Sequence, residues 1–467
     1  MHIGIDFGTS YSAAAAIIDN QLTLVRFGDA EQFHTAVFFP EKVPDPSHFQ
    51  LTPALEAQLE GQLRLGRAQQ RQQAAAAAAL GKAVTPRSDA DLRHDALRVV
   101  RRQWMEEQTR NSAASVASVQ HALFGDEAVE GYLESGGGNL IESPKSMFGF
   151  RFDPQVREVI VHIATHIIEH IRLTASRQFG TTIRGAVIGR PVEFRSSMGP
   201  AGSLQAIEIL REAAAAAGFD EVTFLEEPSA AAMHYHKSLQ QRQFALVVDI
   251  GGGTTDVAHA EIGGDSAPRI ARSWGLPKGG TDLDVGLSLH SFMPSLGKGL
   301  IRLPVHHFVE AASVHNLPKQ REFHQQDYRL IDEPWGSRLR ALQEPGATTR
   351  LNQLAERSKI ALSTVATHHT DLGFIESGLS VDVDSENFHS AIEPFLSQLE
   401  RTLERVRDDL DELPASVFIT GGSSRSPQVS ACVQAGFPGI PLVHGNPSLG
   451  VVSGLALAAS EADQLAP

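Results

Sequence analysis

Apolar residues along this chain fall into two recurring patterns. Short continuous runs that stop at glycine read as buried strands, and stretches in which apolar residues return every three or four positions read as helices. Two of the strand-like runs, far apart, spell nearly the same sequence: Ile3-Gly4-Ile5-Asp6-Phe7-Gly8-Thr9-Ser10 and Val247-Val248-Asp249-Ile250-Gly251-Gly252-Gly253-Thr254-Thr255. Each predicts a strand running into a glycine turn, with an aspartate at the strand's carboxyl end. After the first turn, Ser12 to Ile18 and Leu22 to Phe27 read as the next strands of a meander joined at Asp19-Asn20, and Val37 to Phe39 as a strand closing the same sheet.

Helical composition follows from about Pro53 to Arg110, centred on Ala74 to Ala79, and predicts an inserted helical subdomain with Gly136-Gly137-Gly138 as one of its loops. From Gln155 to Arg177, Val156, Val159, Ile160, Ile163, Ile167, Ile168 and Ile171 follow helical spacing. His162, His166 and His170 on that helix read as a solvated face, since no carboxylate or cysteine pattern accompanies them as zinc requires. Strand, helix, strand and helix then alternate: Gly185 to Gly189, Leu204 to Ala217 ending at Gly218, Val222 to Leu225, and Ser229 to Lys237. The second glycine turn opens a second unit with strands Val257 to Ile262 and Ile270 to Trp274, and with a helix at Gly279-Gly280-Thr281-Asp282. Gly297 to Gly346 carries no clear pattern. Gln353 to Val365 is an amphipathic helix, Ser416 to Ile419 a strand ending in Thr420-Gly421-Gly422-Ser423-Ser424-Arg425, and a last helix begins after Pro447. The whole predicts an α/β protein of two duplicated halves.

The 467 residues exceed what one core usually serves, and 42% apolar with 20% charged residues is ordinary globular composition. The net charge of −15, without a basic patch, argues against nucleic acid and membrane surfaces as partners. The single Cys432 excludes an intrachain disulfide. With a strand at the start of the chain and no apolar segment of bilayer length, the expected location is cytoplasmic.

Three glycine turns at strand ends, each followed by Thr or Ser, predict a phosphate ligand, because backbone N–H groups freed in such turns form anion-binding concavities. Neither a P-loop nor a dinucleotide fingerprint is present, so the phosphates must be held by paired hairpin turns. Asp6 and Asp249, at the same place in a repeated motif, are the candidate partners of magnesium, which commonly binds one or two carboxylates plus substrate oxygens.

Ile3 to Tyr11, Leu225 to Ala232, Val247 to Val257, Lys278 to Asp284, Glu356 to Ser363 and Ile419 to Pro427 resemble, in order, the signatures of the nucleotide-binding domain of the seventy-kilodalton heat-shock chaperones, and more narrowly of short bacterial YegD-type members. The resemblance implies an actin-like ATPase fold, two lobes around a cleft that holds ATP or ADP with magnesium. Lobe I would comprise residues 1–238 and 443–467, with the insertion at about 40–159, and lobe II residues 239–442, without a peptide-binding domain. By motif, Gly8, Thr9, Ser10 and Tyr11 and Gly251, Gly252, Gly253 and Thr254 would be phosphate loops. Gly279 and Gly280 would add a contact, Gly421, Gly422, Ser423 and Arg425 would close around the nucleoside, and Glu356, Lys359 and Ser363 would bind adenosine. Lys145 resembles the lysine that reaches the γ-phosphate and Glu227 the glutamate that helps place the water, its junction with Pro228 holding it extended. With Asp249 and Thr254 these are the candidate catalytic residues.

Departures from the family pattern are Ile360 where an adenine-stacking arginine usually stands, Ser448 where an acidic residue usually lies near the ribose, and Glu193 and Gly199 in place of the tyrosine and arginine downstream of Pro191. The implied function is a slow ATP-hydrolysing, nucleotide-gated clamp acting on an unidentified protein client. A small-molecule kinase and a filament-forming actin-like ATPase are the alternatives on the same fold.

Overall fold

The computed structural model describes residues 1–40, 49–79, 88–114, 122–135, 138–447 and 449–465. They form two compact units, one of Met1–Phe38, Leu123–Gly136 and Leu140–Pro467, the other of Phe39–Ala122 and Gly137–Asn139. The second unit is built on helices Pro53–Ala79 and Asp89–Ala114. Leu55, Leu59, Ala96 and Val100 are buried between them, and Phe49 and Trp104 meet edge-to-face beside that core. Gly136 and Gly137 of the expected loop, and Ser448, lie outside the described residues.

The larger unit contains two mixed sheets of the same design. In the first, His2–Phe7 pairs antiparallel with Tyr11–Ile18 on one side and parallel with Gly185–Arg190 on the other, and Gln21–Leu24 and Glu221–Glu226 form the flanks. In the second, Gln243–Ile250 pairs antiparallel with Thr255–Ile262 and parallel with Ser416–Thr420, with Arg269–Leu276 and Leu442–His444 outside. Both central strands are nearly continuous apolar runs because both faces are covered by helices. Gly450–Leu465 packs on His2–Phe7, Tyr11–Ile18, Gly185–Arg190 and the helix Glu227–His236. Tyr235 of that helix stacks on Phe418 of the second sheet, ring centroids 4.3 Å apart.

Several expectations need correction. The third strand ends at Leu24 rather than Phe27, because Phe27 and Ala30 exchange backbone hydrogen bonds around a turn at Gly28, whose φ is 63°. Ala36–Phe39 does not close the first sheet; it lies between Leu123–Phe124 and Asn139–Glu142 in a sheet of its own. The histidines of helix Pro154–Phe179 do not form a solvated face. His170 stacks on Phe124 at 4.6 Å and packs against Phe27 and Phe33, and burial lowers its pKa to about 4. Val156 and Val159, placed on the apolar stripe, are exposed instead.

The unpatterned region holds Val305–Ala312, Leu317–Gln325 and Trp335–Leu342, short helices that each send only a few residues, among them Phe308, Phe323, Leu339 and Leu342, into the core of the second half. Ser385–Asp409, the longest helix of that half, buries Phe388, Ile392, Phe395, Leu399, Leu403 and Val406 against the same core. Among the described residues no helix is long and apolar enough to cross a membrane.

Candidate functional site

The repeated strand–turn motif places its two glycine turns against each other. A Cβ built on Gly253 would overlap Oγ1 of Thr9, and one on Gly252 would overlap Oγ of Ser10, so only glycine lets the two backbones approach this closely. The second turn is braced from beneath by the helix Gly280–Leu287, whose first amides, Gly280 and Thr281, donate to the carbonyls of Gly251 and Gly252 at 2.9 and 2.8 Å. Gly279 donates to Asp282 at 3.0 Å, so Gly279 and Gly280 anchor the turn with their own N–H groups. The third turn joins at Gly421, in the left-handed region at φ 84°, and Ser423 Oγ reaches the Gly251 carbonyl at 3.5 Å. Arg425 is exposed at the end of this turn.

Carboxylates gather behind the turns. Asp249 and Asp256 are cross-strand partners and both are buried. Glu227, also buried, is the first residue of its helix, where the helix N-terminus favours an anion. The extended residue is Glu226 rather than Glu227, with φ −62° and ψ 132°, and Glu226 pairs with Arg190 at 3.0 Å. Lys145 is carried by a short 3-10 helix, Pro144–Met147, entered through Ser143 in the left-handed conformation. Its ammonium is buried and meets Glu227 Oε1 at 2.5 Å.

Four carboxyl groups, Asp6, Asp249, Asp256 and Glu227, thus share one ammonium. The imbalance shows in their proton affinities. Burial, followed by the charge of Glu227, raises Asp6 to about 7 against the pull of Lys145. Asp249 is raised well above the ordinary carboxylate range by burial and then by Glu227, Asp256 and Asp6. Asp256 rises to about 8 through burial and Glu227, although the Thr254 side chain and the Val192 N–H pull the other way. Burial disfavours the charge of Lys145, but Glu227 and Asp6 outweigh it and the net shift is upward.

Asp256 Oδ1 accepts from Val192 N–H at 2.6 Å, whereas Oδ2 is sealed from solvent without a partner. Uncompensated buried anionic groups of this kind fit a divalent cation. Among the described residues no three His, Cys, Asp or Glu side chains close into a metal cage. The fit is therefore to a hydrated magnesium-like ion held by one or two carboxylates, with ligand oxygens completing its shell.

In front of the turns lies a small, open cleft lined by Thr9, Lys145, Ser146, Pro191, Phe194, Arg195, Gly253 and Thr254. Its lining of hydroxyls and cations suits a phosphate group.

The helix Ala347–Ala361 approaches the second glycine turn from another side of the helix that braces it. Lys359 pairs with buried Asp284 at 2.8 Å and reaches the Gly280 carbonyl at 3.5 Å. Burial raises Asp284 to about 7, with Lys359 opposing and Glu356 adding to the rise. Tyr11 is exposed and its ring lies 5.3 Å from that of His34. Ser363 lies in the turn just beyond the helix end, and its hydroxyl donates to the Lys359 carbonyl at 3.4 Å. Ile360 is 55% exposed.

Two residues of the site were not foreseen. Asp256 had a signal: an aspartate opposite Asp249 in a strand otherwise made for burial. Arg195 had none, since its role arises from the loop after Gly185–Arg190, where Glu193 packs on Gly275 of the second sheet and Gly199 leads into the helix Pro200–Ala216.

Residues 146–294 match the family model described as Hsp70 protein. The chain is 28% identical over 310 residues to the chaperone protein dnaK3 of Synechocystis sp., covering 64% of this chain and 34% of that protein. It is 28% identical over 338 residues to the chaperone protein DnaK 1 of Synechococcus sp., covering 68% and 39%. Against the chaperone protein DnaK of Anaplasma marginale the identity is 28% over 315 residues, covering 64% and 41%. The chain is thus similar to DnaK proteins at 28% identity and spans 34% to 41% of the length of these three. The family match includes Glu227, Asp249, Asp256 and Arg195 and begins one residue after Lys145.

Proposed function

We propose that the protein binds ATP and ADP with magnesium, hydrolyses ATP slowly, and works as a two-lobe, nucleotide-gated clamp of actin-like fold and heat-shock chaperone type. The observation that carries this reading is the apposition of the two Gly-Thr turns, with Lys145 in the cleft before them and the carboxyl groups of Asp6, Asp249, Asp256 and Glu227 gathered behind. The matching connectivity of the two sheets supports a division into two lobes, with the second ending after strand Leu442–His444, which belongs to the second sheet, rather than at residue 442, and the helix Gly450–Leu465 returning to the first.

In this reading Thr9, Ser10 and the Gly251–Thr254 turn would hold the β- and γ-phosphates through amides and hydroxyls, and Asp6 and Asp249 would hold a magnesium ion. When bound, magnesium neutralises charge on the phosphate oxygens. Lys145 offsets the charge developing on the terminal phosphoryl group, and Glu227 fixes the lysine and orients the attacking water. A carboxylate of the cluster accepts the water proton. Glu356 and Lys359 line the nucleoside side, with Gly421, Gly422, Ser423 and Arg425 opposite. The single, half-buried free thiol of Cys432 agrees with a reducing, cytoplasmic setting.

The test is release of inorganic phosphate from ATP in a single turnover, followed with and without magnesium. Magnesium-dependent release that Lys145→Gln abolishes supports the reading, and release unaffected by that substitution contradicts it.

A further inference from the structure

Arg195 lines the cleft in front of the glycine turns, and nothing in the repeated motif calls for it. The cleft lining contains two cations, Lys145 and Arg195, three hydroxyls, from Thr9, Ser146 and Thr254, and no carboxylate. The two cations differ in how they are held. Lys145 is matched by Glu227 at 2.5 Å. Arg195 donates from Nε to the Gly253 carbonyl at 2.7 Å and from Nη2 to Thr281 Oγ1 at 3.2 Å and to Asp282.

Asp282 is shared, because Lys278 Nζ also reaches it at 2.9 Å and Gly279 N–H at 3.0 Å. Two cations on one carboxylate leave positive charge over. Nη1 of Arg195 has no acceptor among the described protein residues. The segment is fixed at both sides: Val192 N–H bonds Asp256, and Ser196 Oγ bonds the Gly149 carbonyl at 2.9 Å. The guanidinium is therefore positioned before any ligand arrives, with one arm of its fork unoccupied.

We propose that Arg195 is a second cation for the terminal phosphoryl group, supplied from within the chain. This rests on the proposed function and names a further residue of that site. The ligand class is the terminal phosphate of a nucleoside triphosphate, or inorganic phosphate beside the diphosphate after cleavage. In the step itself the water oxygen forms a new P–O bond as the bond between the terminal phosphorus and the bridging oxygen breaks. The bridging pair leaves with the diphosphate, and the water proton passes to a carboxylate of the cluster. Arg195 moves no proton. Its Nη1 donates to the non-bridging oxygens, where charge accumulates, while Nε stays on the Gly253 carbonyl and so aims the guanidinium at the cleft. A lysine has no fork and cannot do both.

The experiment compares wild type, Arg195→Lys and Arg195→Gln by calorimetric binding of ADP with magnesium, by single-turnover ATP hydrolysis, and by retention of orthovanadate together with ADP, with melting curves to establish folding. The expected result is ADP affinity within about threefold of wild type, hydrolysis slowed by roughly 10²-fold or more, and vanadate no longer retained, since one donor to a developing oxyanion contributes about 10² to 10³. Hydrolysis and vanadate retention close to wild type in both variants overturn the proposal. So does parallel loss of ADP binding and hydrolysis, which would make Arg195 a structural brace of the Gly253 turn. If the wild type itself binds no ADP, the proposed function falls and this inference with it, whereas ADP binding by the wild type with unaffected variants removes this inference alone.

Discussion

Asp249 and Asp256 stand directly opposite each other on the antiparallel strands Gln243–Ile250 and Thr255–Ile262, and both carboxyl groups are buried. Opposed residues share a sheet face, so two like charges are forced together at the end of the second glycine turn. A protein that needed only a stable sheet there would use apolar side chains.

Asp256→Asn should stabilise the nucleotide-free protein in a pH-dependent way. The folded value of Asp256 is about 8 against the ordinary 3.8, so the folded state holds a proton that the unfolded state has lost. Its contribution to stability is fully present below 3.8 and disappears as pH rises through about 8. The melting temperature of Asp256→Asn relative to wild type, measured in chelator, should therefore climb between about pH 5 and about pH 9. A difference that is flat or falls across that range contradicts the assignment.

Lys145 and Glu227 form a buried pair, and removing one partner leaves the other charge uncompensated. Lys145→Met should lower stability by about 3 to 5 kcal/mol, with the Lys145→Met/Glu227→Met double variant recovering much of that loss in chemical denaturation. Single-turnover hydrolysis should fall by roughly 10²-fold or more in Lys145→Gln and in Glu227→Gln, because each positions groups at the phosphoryl centre. Rates near wild type in both would remove them from the mechanism.

Gly253→Ala should separate folding from binding. The added methyl overlaps Oγ1 of Thr9 and lies 3.0 Å from its Cβ, so the two turns must part. The expectation is a melting temperature lowered by only a few degrees, about 1 kcal/mol or somewhat more, together with nucleotide affinity reduced by at least about tenfold. Unchanged affinity would show that the apposition of the turns has no part in binding.

The glycine turns, the central strands and the aspartates were legible because each is a local pattern: an apolar run, a glycine cluster, an acid at the strand end. The short helices Val305–Ala312, Leu317–Gln325 and Trp335–Leu342 were not, since elements of two turns bury too few residues to print a helical period. His170 was misread because its neighbours, Phe27, Phe33 and Phe124, come from three separate segments. Glu227 was placed in the right cluster for the wrong local reason, the helix start rather than an extended strand end. Arg195 depends wholly on tertiary placement.

Ile360 is exposed on the helix that carries Glu356 and Lys359. If the adenine base packs there, Ile360→Arg should tighten ADP binding by roughly two- to fivefold through stacking of the guanidinium on the base, worth about 0.5–1 kcal/mol at an exposed site. Affinity that is unchanged or weaker in calorimetry would place the base elsewhere.

The most direct measurement is calorimetric titration of wild type and Asp249→Asn with ADP, in magnesium and in chelator. Wild type should bind ADP more tightly with magnesium, by about tenfold or more, and Asp249→Asn should lose that difference while remaining folded. Absence of ADP binding by the wild type, or a magnesium dependence that survives in Asp249→Asn, would contradict the account.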